Sequence, residues 1–278
     1  MSSSESLNSA AGRVPGSRTA LSSANPFYRR NGDLLEPQAA AMGSWNRSHQ
    51  NGVAFNGLLA HLCEGYQYCD DLRVCRITVD IHHPVPFEPI GTACRMVRDG
   101  RRLQILEVDI LAGERLVARA TALRIRKSQS PPAVAPQEAR PLPDAAGDQP
   151  ATRVLAAGCP IETRMVAGSV KEPGPGAFWS RVNSQIIEGE EVGALARVVA
   201  AADLASGPSS IVLSSQWSFA NIDLTVYLTR SIVDAWVFVS SQTHSAGNGT
   251  AVVNSRIGDR DGEVGVAHQV LYVAPQAE

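Results

Sequence analysis

An aspartate opens the run NIDLTVYLTR, Asn221 to Arg230, whose other residues suit the interior of a sheet. A carboxylate at the mouth of a buried strand has two readings. It is a turn residue bonded to local backbone, or it is an acid–base group that its strand holds against a substrate. Asp223 is therefore the first candidate for chemistry. Other constellations are weaker. His82 and His83 in DIHHPVPF are adjacent, so on a strand they point to opposite faces and do not share an ion. Cys63, Cys69, Cys75, Cys94 and Cys159 are odd in number and form no C-x-x-C pair, which argues against zinc and redox motifs. They read as small buried hydrophobes in a reducing compartment. No G-x-S-x-G nucleophile motif occurs. Gly174 and Gly176 are not followed by Lys-Ser or Lys-Thr, so a turn is favoured over a phosphate loop. No metal site is expected.

The elements that must position an acid come next. The chain has 278 residues, 44% hydrophobic and 19% charged, which is the composition of a globular protein with a sizeable core. Its formal net charge is -2 and its Lys and Arg are dispersed, so no nucleic-acid partner is expected. Residues 1–25 are Ser-rich and read as a disordered tail without the apolar core of a signal peptide. No run reaches the roughly 18 apolar residues of a membrane span, so no membrane insertion is expected and the location reads as cytoplasmic.

Residues 128–152 are rich in Pro and Ala and lack hydrophobic periodicity, which marks a semi-extended linker. It divides the chain into two units of similar size, 26–127 and 153–278, and a faint repeat relates them. GSWNR (Gly43–Arg47) is echoed by AFWSR (Ala177–Arg181), CRITVDIHH by IDLTVYLTR, and RLVARATALRIR by EVGVAHQVLYVA. Each half carries one helical pattern. NGVAFNGLLAHLCEGYQ places Val53, Leu58, Leu59 and Leu62 mostly on one face, with Asn51 as its cap. GEEVGALARVVAAADLASG has Val192, Leu195, Ala196, Val199 and Ala202 at helical spacing, with Glu190 and Glu191 suited to its amino end. About four strands follow in each half, separated by turn signals such as RDG and AGNG. An opening strand or hairpin, one helix, then an antiparallel sheet folded around that helix is the hotdog arrangement. Two copies in one chain predict an α+β double hotdog.

The residues also resemble a family. PVPFEPIGTACRMVRDGRRLQILEVDILAGERLVARATALRIR looks like the first half of the TesB-like acyl-CoA thioesterases. FANIDLTVYLTR, DAWVFVSSQTHSAGNGTAVVNSRIGDRDGEVGVAHQVLYV and the helical stretch before them look like its second half. The likeness covers most of the chain from about Asn25. It implies hydrolysis of acyl-CoA by a directed water, with no metal or organic cofactor. Carried over residue by residue, it implies Asp223 as the base and Gln269 as the side chain that orients the water. The hydroxyl position falls on Thr243, with His244 and Ser245 as close alternatives.

The oxyanion is expected on backbone N–H groups at a helix amino terminus, for which Asn51 and Gly52 are the candidates. SHQNGV departs there from the His-Gly-Gly-like sequence of many relatives. The repeat places Arg76, Arg98 and Thr121 opposite Asp223, Thr243 and Gln269, so the first half lacks the polar trio. RDGRR (Arg98–Arg102) is either a contact for the phosphates of coenzyme A or a solvated hairpin tip. The rival functions are a catalytically silent acyl-CoA or acyl-lipid binding protein and a hotdog dehydratase. The dehydratase is disfavoured by the missing hydratase motif. A homodimer or higher homo-oligomer is expected from the exposed sheet edges.

Overall fold

The computed structural model describes residues 25–44, 46–130, 142–143, 151–152, 154–155, 158–213 and 215–276. Most of the expected tail and linker, and Trp45 of the first repeated motif, lie outside these residues.

Strands β1 (Tyr28–Asn31) and β2 (Leu34–Pro37) form an opening hairpin. A 3₁₀ turn at Ala39–Ala41 leads toward helix α1 (Gly52–Gly65). Strands β3 (Leu72–Ile81), β4 (Ile90–Asp99), β5 (Leu103–Ala112) and β6 (Arg115–Arg126) complete the first half. The second half repeats the plan with β7 (Ile161–Ala167), β8 (Gly176–Val182) and helix α2 (Ala194–Asp203), which tightens into a 3₁₀ turn at Leu204–Ser206. Then come β9 (Trp217–Asn221), β10 (Asp223–Leu228), β11 (Trp236–Gly247), β12 (Thr250–Asp259) and β13 (Gly262–Pro275). The strands join into one sheet in the order β1-β2-β4-β5-β6-β3-β10-β13-β12-β11-β8-β7, with β9 paired to β13. The halves meet at β3 and β10, which run antiparallel with Thr78 opposite Thr225. Their hydroxyls bond across that seam at 3.2 Å. The chain is the α+β double hotdog its pattern implies.

Both helices are buried by the sheet and by each other. Leu58, Leu59 and Ala60 of α1 and Val198 to Ala202 of α2 are buried. Small residues set the helix spacing: a Cβ on Gly57 would lie 3.2 Å from Ile186 Cδ1 and 3.9 Å from Ala200 Cβ. Trp179 of the repeated motif is fully buried and packs its ring 5.2 Å from that of Phe238.

Burying both ends of a helix leaves backbone groups that need partners, and here each end finds one. The Asn51 side chain caps α1 by accepting from Ala54 N–H at 2.8 Å, as its place ahead of the apolar run implies. At the other end Arg124 of β6 donates to the Cys63 and Tyr66 carbonyls at 2.5 and 2.6 Å. The cap of α2 departs from expectation. Glu190 and Glu191 precede the helix, and Glu190 instead bonds His61 and Arg30, each at 2.8 Å. The acid at the start of α2 is Glu64, from the far end of α1, whose carboxylate accepts Leu195 N–H at 3.2 Å.

Candidate active site

The site lies where α2 ends against the start of α1. Asp203 closes α2, and its carboxylate is driven into the protein because Val198 to Ala202 and Leu204 around it are all core residues. It comes to rest on Gly52, where a Cβ would lie 2.5 Å from Oδ2 and 2.8 Å from Oδ1. Oδ1 accepts from Asn56 Nδ2 of α1 at 2.8 Å and from Asn221 Nδ2 of β9 at 3.0 Å. Burial pushes the carboxyl up from 3.8 to about 6, and the bonds from Asn221 and Asn56 hold back part of that rise.

Two further side chains gather around the same helix end. Gln269 of β13 is buried and donates from Nε2 to the Asp203 carbonyl at 3.3 Å. Thr243 of β11 is buried and shares a hydrogen bond of 2.9 Å with Ser209, which donates to the Ala205 carbonyl at 2.7 Å. Gln269 and Thr243 both pair with Val253 of β12, so they stand on one sheet face two strand spacings apart, roughly 10 Å. The Oε1 of Gln269 and the Oδ1 of Asn56 are buried acceptors without a hydrogen-bond partner among the described residues. Each is available to a donor that enters the site.

The structure corrects the expected surroundings of Asp223. Asp223 does not meet Gln269. In β10, Leu224, Val226 and Leu228 face the core, so alternation turns Asp223 to the outer face with Thr225 and Tyr227. Its Oδ1 accepts Val270 N–H at 2.6 Å, and Val270 is exposed where its neighbour Gln269 is buried. A side-chain period of two puts the expected pair on opposite faces. Asp223 is bonded neither to local turn backbone nor to Gln269; its partner is the backbone of β13, 47 residues away.

The remaining sequence candidates separate in the same way. Thr243 points inward, while His244 lies on the exposed face. Ser245 belongs to the next hairpin, accepting Gly247 N–H and donating to the Thr250 carbonyl at 2.6 Å. Asn51 is consumed in shaping the start of α1: besides its cap, Nδ2 donates to the Ala40 and Met42 carbonyls at 3.0 and 3.1 Å. Gly52 lies in the site through its contact with Asp203. The RDGRR tip is tied through the Arg101 carbonyl to Arg126, past the carboxyl end of α1. From Gly52 it is about one helix length away, roughly 20 Å for the 14 residues of α1. Arg124 of β6 plays the same bonding part in the first half that Gln269 plays in the second, since each donates to carbonyls at the end of its own half's helix. No cluster of three His, Cys, Asp or Glu side chains suited to a metal occurs among the described residues. No helix among them is long and apolar enough to cross a membrane.

Asp203, Asn56 and Asn221 were not among the sequence candidates. Asp203 lies in VVAAADLASG, where it resembles an ordinary helix-end residue. Two physical signals mark it. An acid at a helix carboxyl end opposes the helix dipole, and an acid whose helical neighbours are all core residues is forced inward.

A continuous antiparallel sheet wrapped around two neighbouring helices, one for each half, defines a protein of the double hotdog class. Solved structures share that fold. The acyl-CoA thioesterase II TesB2 from Mycobacterium marinum is 16% identical with a TM-score of 0.63, over 81% of this chain and 91% of that one. The tesB protein of Mycobacterium avium subs paratuberculosis is 16% identical with a TM-score of 0.63, over 89% and 96%. A conserved hot dog protein from Alicyclobacillus acidocaldarius is 15% identical with a TM-score of 0.64, over 90% and 96%. No curated protein sequence matches the chain significantly. Residues 41–125 match the acyl-CoA thioesterase N-terminal domain, and residues 136–273 match the acyl-CoA thioesterase C-terminal domain. The chain belongs to the acyl-CoA thioesterase family and is a thioester hydrolase.

Proposed function

We propose that this hydrolase cleaves acyl-CoA to the free acid and coenzyme A, with Asp203 as general base. The observation that carries this reading is the buried Asp203 carboxylate, bonded on one oxygen and set against the first residue of a helix. With Oδ1 occupied, Oδ2 is the oxygen left to take a proton from water. A carboxylate raised to about 6 is still mostly ionised at neutral pH and is a stronger base than an exposed one. Gln269 accepts the water's second hydrogen on its unpartnered Oε1, and the hydroxyl of Thr243 turns from Ser209 to donate to the water oxygen. The water oxygen attacks the thioester carbonyl carbon as its proton passes to Asp203. The developing oxyanion is placed at the amino end of α1, on the N–H groups of Gly52 and Val53, since Ala54 N–H is taken by Asn51. Collapse expels the thiolate, which recovers the proton from Asp203.

We read the two hotdog units as residues 26–127 and 153–278. The second supplies Asp203, Thr243 and Gln269, and the first supplies Gly52. All five cysteines are free, which supports a reducing, cytoplasmic setting.

The test is hydrolysis of a panel of acyl-CoAs from short to long, followed by release of free thiol. Turnover that falls at least about a hundredfold in Asp203→Asn, with folding intact, supports the assignment. Equal rates in both proteins would remove Asp203 from the mechanism. No turnover on any chain length would favour an acyl-CoA binding protein.

A further inference from the structure

We infer that Asn56 and Asn221 are positioning residues that fix which oxygen of Asp203 acts, and set the pH range in which it acts. The inference rests on Asp203 being the base. Both amides donate to the same oxygen, Oδ1, at 2.8 and 3.0 Å, from opposite sides of the chain's repeat. Asn56 comes from the helix of the first half and Asn221 from a strand of the second. Asn221 Nδ2 also reaches the Asp203 carbonyl at 3.3 Å, which ties the carboxylate to its own backbone. The clamp prevents the carboxylate from rotating, so Oδ2 stays against Gly52 at the helix start. The orientation of Asn56 follows from charge. Turning its amide over would bring Oδ1 against the carboxylate, so the amide nitrogen faces Asp203 and the oxygen is left without a protein donor.

The other buried acid of the helix pair shows what happens without such a clamp. Glu64 meets the start of α2 directly, accepts Leu195 N–H, and lies near His61 and the charge of Arg197. It caps that helix, so the mirrored position is filled. The groups packed on Asp203 are neutral: Gly52 and Asn56 from α1, Asn221 from β9 and Gln269 from β13. Burial raises its proton affinity and the two amide bonds lower it.

Removing a donor to the ionised form weakens the acid, so the acid limb of kcat/KM must move upward. A hydrogen bond to a charged group corresponds to about one pH unit. Asn221→Ala and Asn56→Ala are each expected to lose about fivefold more in kcat/KM at pH 6 than at pH 8, on top of any loss from the freed carboxylate that is the same at both. Asn56 is fully buried, so Asn221→Ala, at a half-buried site, carries the test if the other variant does not fold. A loss that is uniform across pH, or an unmoved acid limb, would overturn the clamp. Asp203→Asn, run in parallel, separates the two ideas. If that variant keeps turnover, the base assignment fails and the clamp falls with it. If it is inactive while the acid limb of the Asn variants stays in place, only the clamp fails.

Discussion

The carboxylate of Asp203 occupies the space that a side chain at residue 52 would need. A Cβ on Gly52 would lie 2.5 Å from Oδ2, closer than real contacts allow. Gly52→Ala therefore has to displace either the carboxylate or the first turn of α1. Either movement misaligns the base with the helix amides proposed to hold the oxyanion. The expected outcome is a loss of kcat/KM on the order of a hundredfold, with the melting transition still cooperative. Steady-state kinetics on a good acyl-CoA substrate decide it. Unchanged turnover would show that the carboxylate is not needed at that helix end.

Asp203 also makes a prediction about stability, because a raised carboxyl is a cost to the folded state. Its folded value near 6 lies above its ordinary 3.8, so the native protein binds the extra proton between those values. Stability falls as pH rises through that window, and above it the whole cost, about 3 kcal/mol, is present. Asp203→Asn removes the charge and keeps an acceptor for Asn56 and Asn221. The inactive variant is expected to melt roughly 5 °C higher than the wild type at pH 8. The gap closes near pH 4. A variant that is less stable at pH 8 would mean that the burial cost is offset by bonds only the carboxylate makes.

Asp223 gives the complementary test. Its carboxylate accepts one backbone N–H on the outer face of the sheet, and an asparagine oxygen can do the same. Asp223→Asn is expected to hold kcat/KM within about twofold and stability within about 0.5 kcal/mol. A collapse of turnover like that expected for Asp203→Asn would return Asp223 to the mechanism.

These contrasts show how far the sequence reaches. α1 was legible because its cap and its apolar face are local: Asn51 precedes the run it caps. The paired halves were legible because two helices and two sets of strands recur in the same order. Gln269 and Thr243 are implied by the family resemblance, and the structure turns both inward. The pairing of Asp223 with Gln269 was not legible because strand parity, not residue type, decides which face Asp223 takes. Asn56 and Asn221 were invisible for a different reason. Their partner is Asp203, 147 and 18 residues away, and nothing local to either asparagine indicates it. The cap of α2 fails alike, since local acids Glu190 and Glu191 suit the position that Glu64 fills from the other half.

The most buried ion pair lies away from the site and predicts the response to acid. Asp259 at the end of β12 has no exposed side-chain surface and takes both guanidinium nitrogens of Arg230 at 2.6 and 2.7 Å. It also accepts the Val233 and Asp261 N–H groups, each at 2.9 Å. It thus fastens the loop after β10 to the β12–β13 turn. Burial alone would raise its carboxyl, but the Arg230 bonds and the two backbone N–H bonds outweigh burial and hold it below its ordinary value. A depressed folded value contributes stability above the unfolded value near 3.8, and that contribution is lost as pH falls through the folded one. Asp259→Ala leaves Arg230 without its partner and is expected to cost about 3 kcal/mol at pH 7. The cost should shrink as pH falls through the depressed folded value, where the native carboxylate itself takes up a proton. Urea midpoints of both proteins at pH 7 and at an acid pH below that folded value measure it. An equal difference at both pH values would show that the carboxylate acts through packing, and that its charge contributes nothing.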